Sequence, residues 1–226
     1  MTGLLALEAV SKSFSGVRAV EDVSLSVPGS AIVAIAGPNG AGKTTLLDLI
    51  AGVHRPDAGT IRLGGTDIAG LPPHRACGLG IARTFQRPRP FPGMTIEDNV
   101  VVAALLREPE MAIARRRALE ALEPLGLAAA CGLPAAGLDM SGRKRLDLAR
   151  ALATRPRLLL LDEPLAGLSA VDHGAMIDFL RALKGRRGLS ILLTERDPGV
   201  AALLTDRIVL LDHGEIVETL SVQVPA

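Results

Sequence analysis

Short apolar runs separated by turn residues occupy the first third of the chain and predict strands. Leu4–Val10 and Val20–Val27 read as strands of a meander, and Pro28-Gly29 marks the turn after them. Ala31-Ile-Val-Ala-Ile-Ala36 is apolar at every position, the pattern of a strand covered on both faces. It stops at Gly37. Lys43–Ala51 then follows with helical spacing and is closed by Gly52. Pro56-Asp-Ala-Gly-Thr60 predicts a turn into a further strand at Ile61–Leu63.

The periodicity changes from about Thr95 to Leu133. Ile96–Leu106 and Met111–Leu122 predict helices and no strand signal interrupts them, so 94–137 reads as an inserted helical subdomain. Alternation then resumes with helix Arg143–Ala153, strand Arg157–Leu161, helix Val171–Leu183, strand Leu189–Thr194, helix Gly199–Leu204 and strand Arg207–Leu211. Asp212-His-Gly214 predicts a hairpin into Glu215–Glu218. The expected architecture is α/β, with a core formed by 1–93 and 138–226 that carries an antiparallel β subdomain.

Composition narrows the function classes. The 226 residues are 48% hydrophobic, ample for a buried core and incompatible with a disordered chain. A net charge of +1 and 2% aromatics leave neither an electrostatic footprint nor stacking platforms, so no nucleic-acid partner is expected. The Arg115-Arg-Arg117 and Arg143-Lys-Arg145 runs read as solvated faces or interface charges. Cys77 and Cys131 read as reduced thiols, and the four histidines form no metal-ligand cluster. The longest apolar run, Val100–Leu106, falls well short of the roughly 20 residues that span a bilayer. Met1–Glu8 lacks a basic leader, so a cytoplasmic location is expected. A mean hydropathy of +0.34 points to apolar surface shared with a partner.

The chemistry-bearing motif is Gly37-Pro38-Asn39-Gly40-Ala41-Gly42-Lys43-Thr44-Thr45, which fits G-x-x-x-x-G-K-[ST]. Glycines let backbone N–H groups turn inward around phosphates, and the following helix N-terminus adds positive potential. Lys43 would reach the terminal phosphates and Thr44 would ligate Mg2+. Arg157-Leu-Leu-Leu-Leu-Asp-Glu-Pro164 supplies the complement: a buried strand delivers Asp162 to its carboxyl end as a metal carboxylate, and Glu163 is placed to polarise an attacking water. Together they predict a P-loop core that binds phosphates and Mg2+.

With these motifs the chain resembles the ATP-binding subunits of ABC transporters over nearly its whole length. The resemblance implies that Phe14 stacks on adenine. It implies that Gln86, in Ile81-Ala-Arg-Thr-Phe-Gln86, links Mg2+ and the attacking water to a membrane subunit, and that Asp172 lies at a dimer interface. Gly78–Gln86, Phe91-Pro-Gly-Met-Thr95 and Glu163-Pro-Leu-Ala-Gly-Leu168 look like the importers of branched-chain amino acids. The implied partners are transmembrane permeases, a second ABC ATPase subunit and, indirectly, an extracytoplasmic substrate-binding protein. The implied location is peripheral, on the cytoplasmic side of the inner membrane. Arg87–Pro92 and Met94 are expected to receive the permease.

Two departures bear on activity. The family's Leu-Ser-Gly-Gly-Gln signature reads Leu138-Asp-Met-Ser-Gly-Arg-Lys-Arg145 here. Without a gap Asp139 replaces the serine; with a two-residue deletion Met140-Ser141-Gly142 retains the first three positions, and Ser141 is expected to cap the helix beside the partner's ATP. The family's switch histidine is Arg196, which is permanently charged and cannot accept a hydrogen bond. Arg196 could still donate to a terminal phosphate, so the catalytic set is expected to be Glu163, Gln86 and Arg196. Two readings follow: an ATPase powering an importer, or a weakly hydrolysing regulatory subunit beside an active partner.

Overall fold

The computed structural model describes residues 3–222, without the side chains of 184–187; Met1 and Thr2 of the segment read as lacking a leader lie outside them. β1 (Leu5–Phe14), β2 (Val17–Val27), β4 (Ala58–Leu63) and β5 (Thr66–Asp67) form an antiparallel sheet in the order β2-β1-β4-β5. A second sheet is built from β3 (Ile32–Ala36), β6 (Ile81–Arg83), β7 (Leu158–Asp162), β8 (Ser190–Glu195), β9 (Arg207–Asp212) and β10 (Glu215–Ser221). Its order is β10-β9-β3-β8-β7-β6, parallel except for β10.

Successive residues of the parallel strands face opposite sides, so the sheet separates two apolar cores. Val33, Ile35, Leu158, Leu160 and Leu192 face α1 (Lys43–Ile50) and the antiparallel sheet. Ala34, Leu159, Leu161, Ile191 and Leu193 face the other side, where the longer helices lie. Those are α3 (Ile96–Ala104), α4 (Met111–Leu122), α5 (Met140–Ala153) and α6 (Ala170–Arg187). Burial on both faces accounts for the unbroken apolar runs in β3 and β7.

Several boundaries differ from the pattern. β1 continues through polar Ser11–Ser13 because its ladder to β2 carries on past three register shifts, to Phe14 opposite Val17. The short α2 (Pro73–Gly78) and three-residue β6 have no periodic signature. The chain after β8 turns through α7 (Pro198–Ala202) before β9. α5 starts at Met140, three residues before the predicted start, because Asp139 and not Ser141 is its cap. Among the described residues, no helix is long and apolar enough to cross a membrane.

Candidate nucleotide site

Parallel strands point their carboxyl ends to one edge, and the loops leaving β3, β6, β7 and β8 converge there. The loop after β3 ends at Gly42, the N-cap of α1, with φ of 99°. A Cβ at Gly42 would stand 2.2 Å from the Ala19 carbonyl oxygen, and one at Gly37 only 2.0 Å from that of Leu211. Glycine is therefore required at both positions by close backbone approach. Lys43 is buried at the start of α1 and donates to the Gly37 and Pro38 carbonyls at 2.6 and 2.8 Å. Burial lowers its ammonium pKa, against the opposing pull of Glu163, Asp162 and Glu195. A cavity of about 340 Å3 is lined by loop residues 39–45, Ala19, Gln86, Glu163 and Arg196. Thr44 and Thr45 face it, whereas Gly37 and Pro38 lie outside its lining.

Asp162 ends β7 directly opposite Thr194 in β8, which explains the 2.8 Å bond from Thr194 Oγ1 to Asp162 Oδ1. Thr44 Oγ1 donates to the same oxygen at 3.2 Å, and Arg83 Nη2 lies 3.4 Å from Oδ2. Hydroxyl and carboxylate oxygens thus meet beside the cavity, a donor set suited to Mg2+, which prefers few protein oxygens and fills its shell from phosphates and water. Among the described residues, no group of three or more histidine, cysteine or carboxylate side chains could hold a metal by itself. The donor chemistry fits an ion carried in with the nucleotide.

Glu163 departs from the strand in the left-handed region, with φ of 46°. That conformation costs about 1–2 kcal/mol for a residue with a Cβ, and four contacts hold it. Its N–H donates to Thr194 Oγ1 at 3.1 Å, and its carbonyl accepts from Lys144 Nζ at 2.8 Å. Its carboxylate accepts from Gln86 Nε2 at 2.9 Å and Arg196 Nε at 3.0 Å. Burial pushes the carboxyl pKa up, but the Arg196 bond and charge, with Gln86 and Lys43, outweigh it and leave the group below its ordinary value. The site predicted from separate motifs is therefore brought together for Gln86, Glu163, Asp162, Thr44 and Arg196.

Lys144 departs from the reading of Arg143-Lys-Arg145 as a solvated face or interface charges. It is 7% exposed and also donates to the Pro164 carbonyl at 3.2 Å, and burial lowers its pKa. Glu195, beside Arg196, is likewise buried; burial raises its pKa, and Glu163 adds to that rise. Neither had a sequence signal, because their partners lie on other elements. Phe14 lies apart from the cavity lining, its ring 5.0 Å from that of His54 and 5.4 Å from Lys12 Nζ.

The signature segment is ordered around Asp139, whose Oδ1 accepts the Gly142 N–H at 2.7 Å. Ser141 therefore does not cap α5. It sits buried inside the first turn; the Ser169 hydroxyl, which donates to Asp172 at 2.7 Å, is the main cause that holds the Asp172 carboxyl below its usual range, with nearby Ser141 adding to it. The ungapped register places Asp139 at the cap for the same reason that serine is suited there: both offer an oxygen to the third helical N–H. Asp139→Ala is expected to lower stability by about 1 kcal/mol and Asp139→Ser to keep most of it, read as denaturant midpoints.

Comparison with known proteins gives the family. Residues 20–166 match the family model described as ABC transporter. The branched-chain amino acid transport ATP-binding protein BraF of Pseudomonas aeruginosa is 34% identical over 226 aligned positions, covering 93% of this chain and 89% of that protein. LivG of Escherichia coli has the same identity and coverage. The Fe(3+) ions import protein FbpC of Streptomyces coelicolor is 38% identical over 96% of this chain but only 61% of its own length. Among solved structures, the ATP-binding cassette MJ1267 in its ADP conformation superposes with a TM-score of 0.88 at 26% identity, covering 98% of this chain and 92% of that one. The glycine loop, the paired carboxyls at the end of β7 and kinship over almost the full length place this chain in the family of ABC transporter ATP-binding subunits, which are ATPases.

Proposed function

We propose that this ATPase powers an importer of branched-chain or other hydrophobic amino acids as a peripheral subunit on the cytoplasmic side of the membrane. The supporting observation is the 34% identity to BraF and LivG across 93% of the chain. The cargo is argued from kinship, because the site handles nucleotide alone. FbpC, at 38%, is the reminder that identity by itself does not choose a cargo. Permeases, a second ATPase subunit and an extracytoplasmic binding protein would complete the assembly, with Asp172 at the subunit contact and Phe14 at the base. Deleting the gene should abolish uptake of leucine, isoleucine and valine, restored by the wild-type chain and not by Lys43→Ala. Uptake of all three at normal rates would reject the cargo.

In this reading the phosphates lie along the N–H groups of residues 39–45, and Lys43 exchanges its loop carbonyls for phosphate oxygens. Thr44, Asp162 and Gln86 would hold Mg2+, which offsets phosphate charge when bound. Glu163 accepts the proton of the attacking water, and Gln86 orients its carboxylate.

The Arg196–Glu163 ion pair favours a second reading, a subunit of weak turnover beside a more active relative. A carboxylate held below its ordinary pKa by a guanidinium is a poorer base. The ungapped signature adds to this by offering the Asp139 carboxylate where the family offers serine to the partner's ATP. Arg196→His is expected to raise turnover severalfold. It should also move the acid limb of the pH–rate profile upward, because without the guanidinium the carboxyl retains its proton to higher pH. Brisk wild-type turnover that falls in Arg196→His would reject this second reading.

A further inference from the structure

The geometry points to Asp147 and Arg150, one turn apart on α5, as positioning residues that hold Gln86 against Glu163. The inference rests on the hydrolytic roles proposed for Gln86 and Glu163. The ladder from β6 to β7 extends only to Thr84, whose N–H donates to the Leu160 carbonyl at 2.9 Å. Beyond it the chain reads Phe85-Gln-Arg-Pro-Arg-Pro-Phe91, and its two prolines offer no N–H for a ladder.

Side chains replace the missing ladder. Asp147 Oδ2 accepts the Phe85 N–H at 3.1 Å, one residue before Gln86. Arg150 Nη1 donates to the Arg89 carbonyl at 3.1 Å, three residues after it. The same guanidinium stands 5.0 Å from the centroid of the Phe91 ring, and Nη1 reaches Asp147 Oδ1 at 3.4 Å, so each member of the pair orients the other. The far end is fixed from α3, where buried Asn99 accepts the Phe91 N–H at 2.8 Å and donates to its carbonyl at 3.0 Å. Gln86 lies inside these anchors, and its Nε2 reaches Glu163 at 2.9 Å.

Burial is the second line of support. Asp147 is almost wholly buried, which raises its carboxyl pKa against the opposing Phe85 N–H and Arg150 charge. A carboxylate is unfavourable in such surroundings unless paired, and those two groups are its partners. Asp139 caps the same helix eight residues earlier, about 12 Å along the axis. One rigid element therefore carries both the signature segment and the clamp on Gln86.

The test is a double-mutant cycle on the full chain, with turnover and KM for ATP measured at matched folded concentration. Asp147→Leu removes the acceptor and is expected to lower kcat about tenfold with little change in KM. Asp147→Asn keeps an oxygen for Phe85 and should recover most of the loss. In a Gln86→Ala background, Asp147→Leu should add nothing, because its effect passes through Gln86. Equal fold losses in both backgrounds, or wild-type turnover in Asp147→Leu, would overturn the clamp alone. Full turnover in Gln86→Ala would overturn the role of Gln86 and the clamp with it. Should Asp147→Leu fail to fold, Arg150→Gln is held to the same non-additivity.

Discussion

Glu163→Gln is expected to reduce ATP turnover by about 10²–10⁴-fold while nucleotide binding stays close to wild type. The substitution keeps the side-chain volume and leaves the backbone contacts to Thr194 and Lys144 in place. It removes the charge that pairs with Arg196 and the basic oxygen that would take a proton. Single-turnover hydrolysis beside equilibrium binding of a fluorescent ATP analogue separates the two quantities. A tightly binding, inactive variant assigns Glu163 to the chemical step. Turnover within a few-fold of wild type would move the base elsewhere; buried Glu195, which the Glu163 charge already influences, would be the next to substitute.

Lys43→Ala carries the other large effect. A buried ammonium that exchanges two carbonyl partners for phosphate oxygens makes charge-assisted bonds worth about 1.5–3 kcal/mol each, so nucleotide affinity should fall by 10²-fold or more. The chain should remain folded, since the glycine loop is fixed by backbone contacts at Gly37 and Gly42 that the lysine does not make. Thermal unfolding with and without ATP checks both halves at once: wild type should gain stability with ligand and Lys43→Ala should not. A ligand-induced shift equal to that of wild type would show that the lysine adds nothing to binding. Because Glu163, Asp162 and Glu195 partly offset the desolvation of Lys43, Glu163→Gln should also make the free lysine easier to deprotonate.

What could be read in advance follows from how local each signal is. β3, the glycine loop, α1 and β7 rest on unbroken apolar runs and a fixed spacing within one stretch of chain, and the structure has them where the pattern predicts. α4 spans Met111–Leu122, as its periodicity requires. β6 is different: three residues become a strand only because Ile81, Ala82 and Arg83 pair with Leu158, Leu159 and Leu160, almost 80 positions away. The sequence pointed to Ser141 as the cap of α5, and finding Asp139 there instead required the geometry of Asp139 and Gly142. Lys144 looked like its basic neighbours because nothing local shows that Glu163 and Pro164 turn their carbonyls toward it. The charged residues that meet at the edge of the sheet were nameable one by one, whereas their pairings, Arg196 with Glu163 and Asp147 with Phe85, belong to tertiary structure.

The division of the central sheet between two cores gives β7 a parity. Leu158 and Leu160 serve one side, Leu159 and Leu161 the other, and the count ends at Asp162, from which Glu163 leaves the strand. Gaining or losing one residue within this strand would send the leucines beyond that point to the wrong core and displace both carboxyls from their partners, whereas the same change in a surface loop would be absorbed. The strand therefore meters the site: its length, more than the chemistry of any one leucine, brings Asp162 to Thr44 and leaves Glu163 within reach of Arg196.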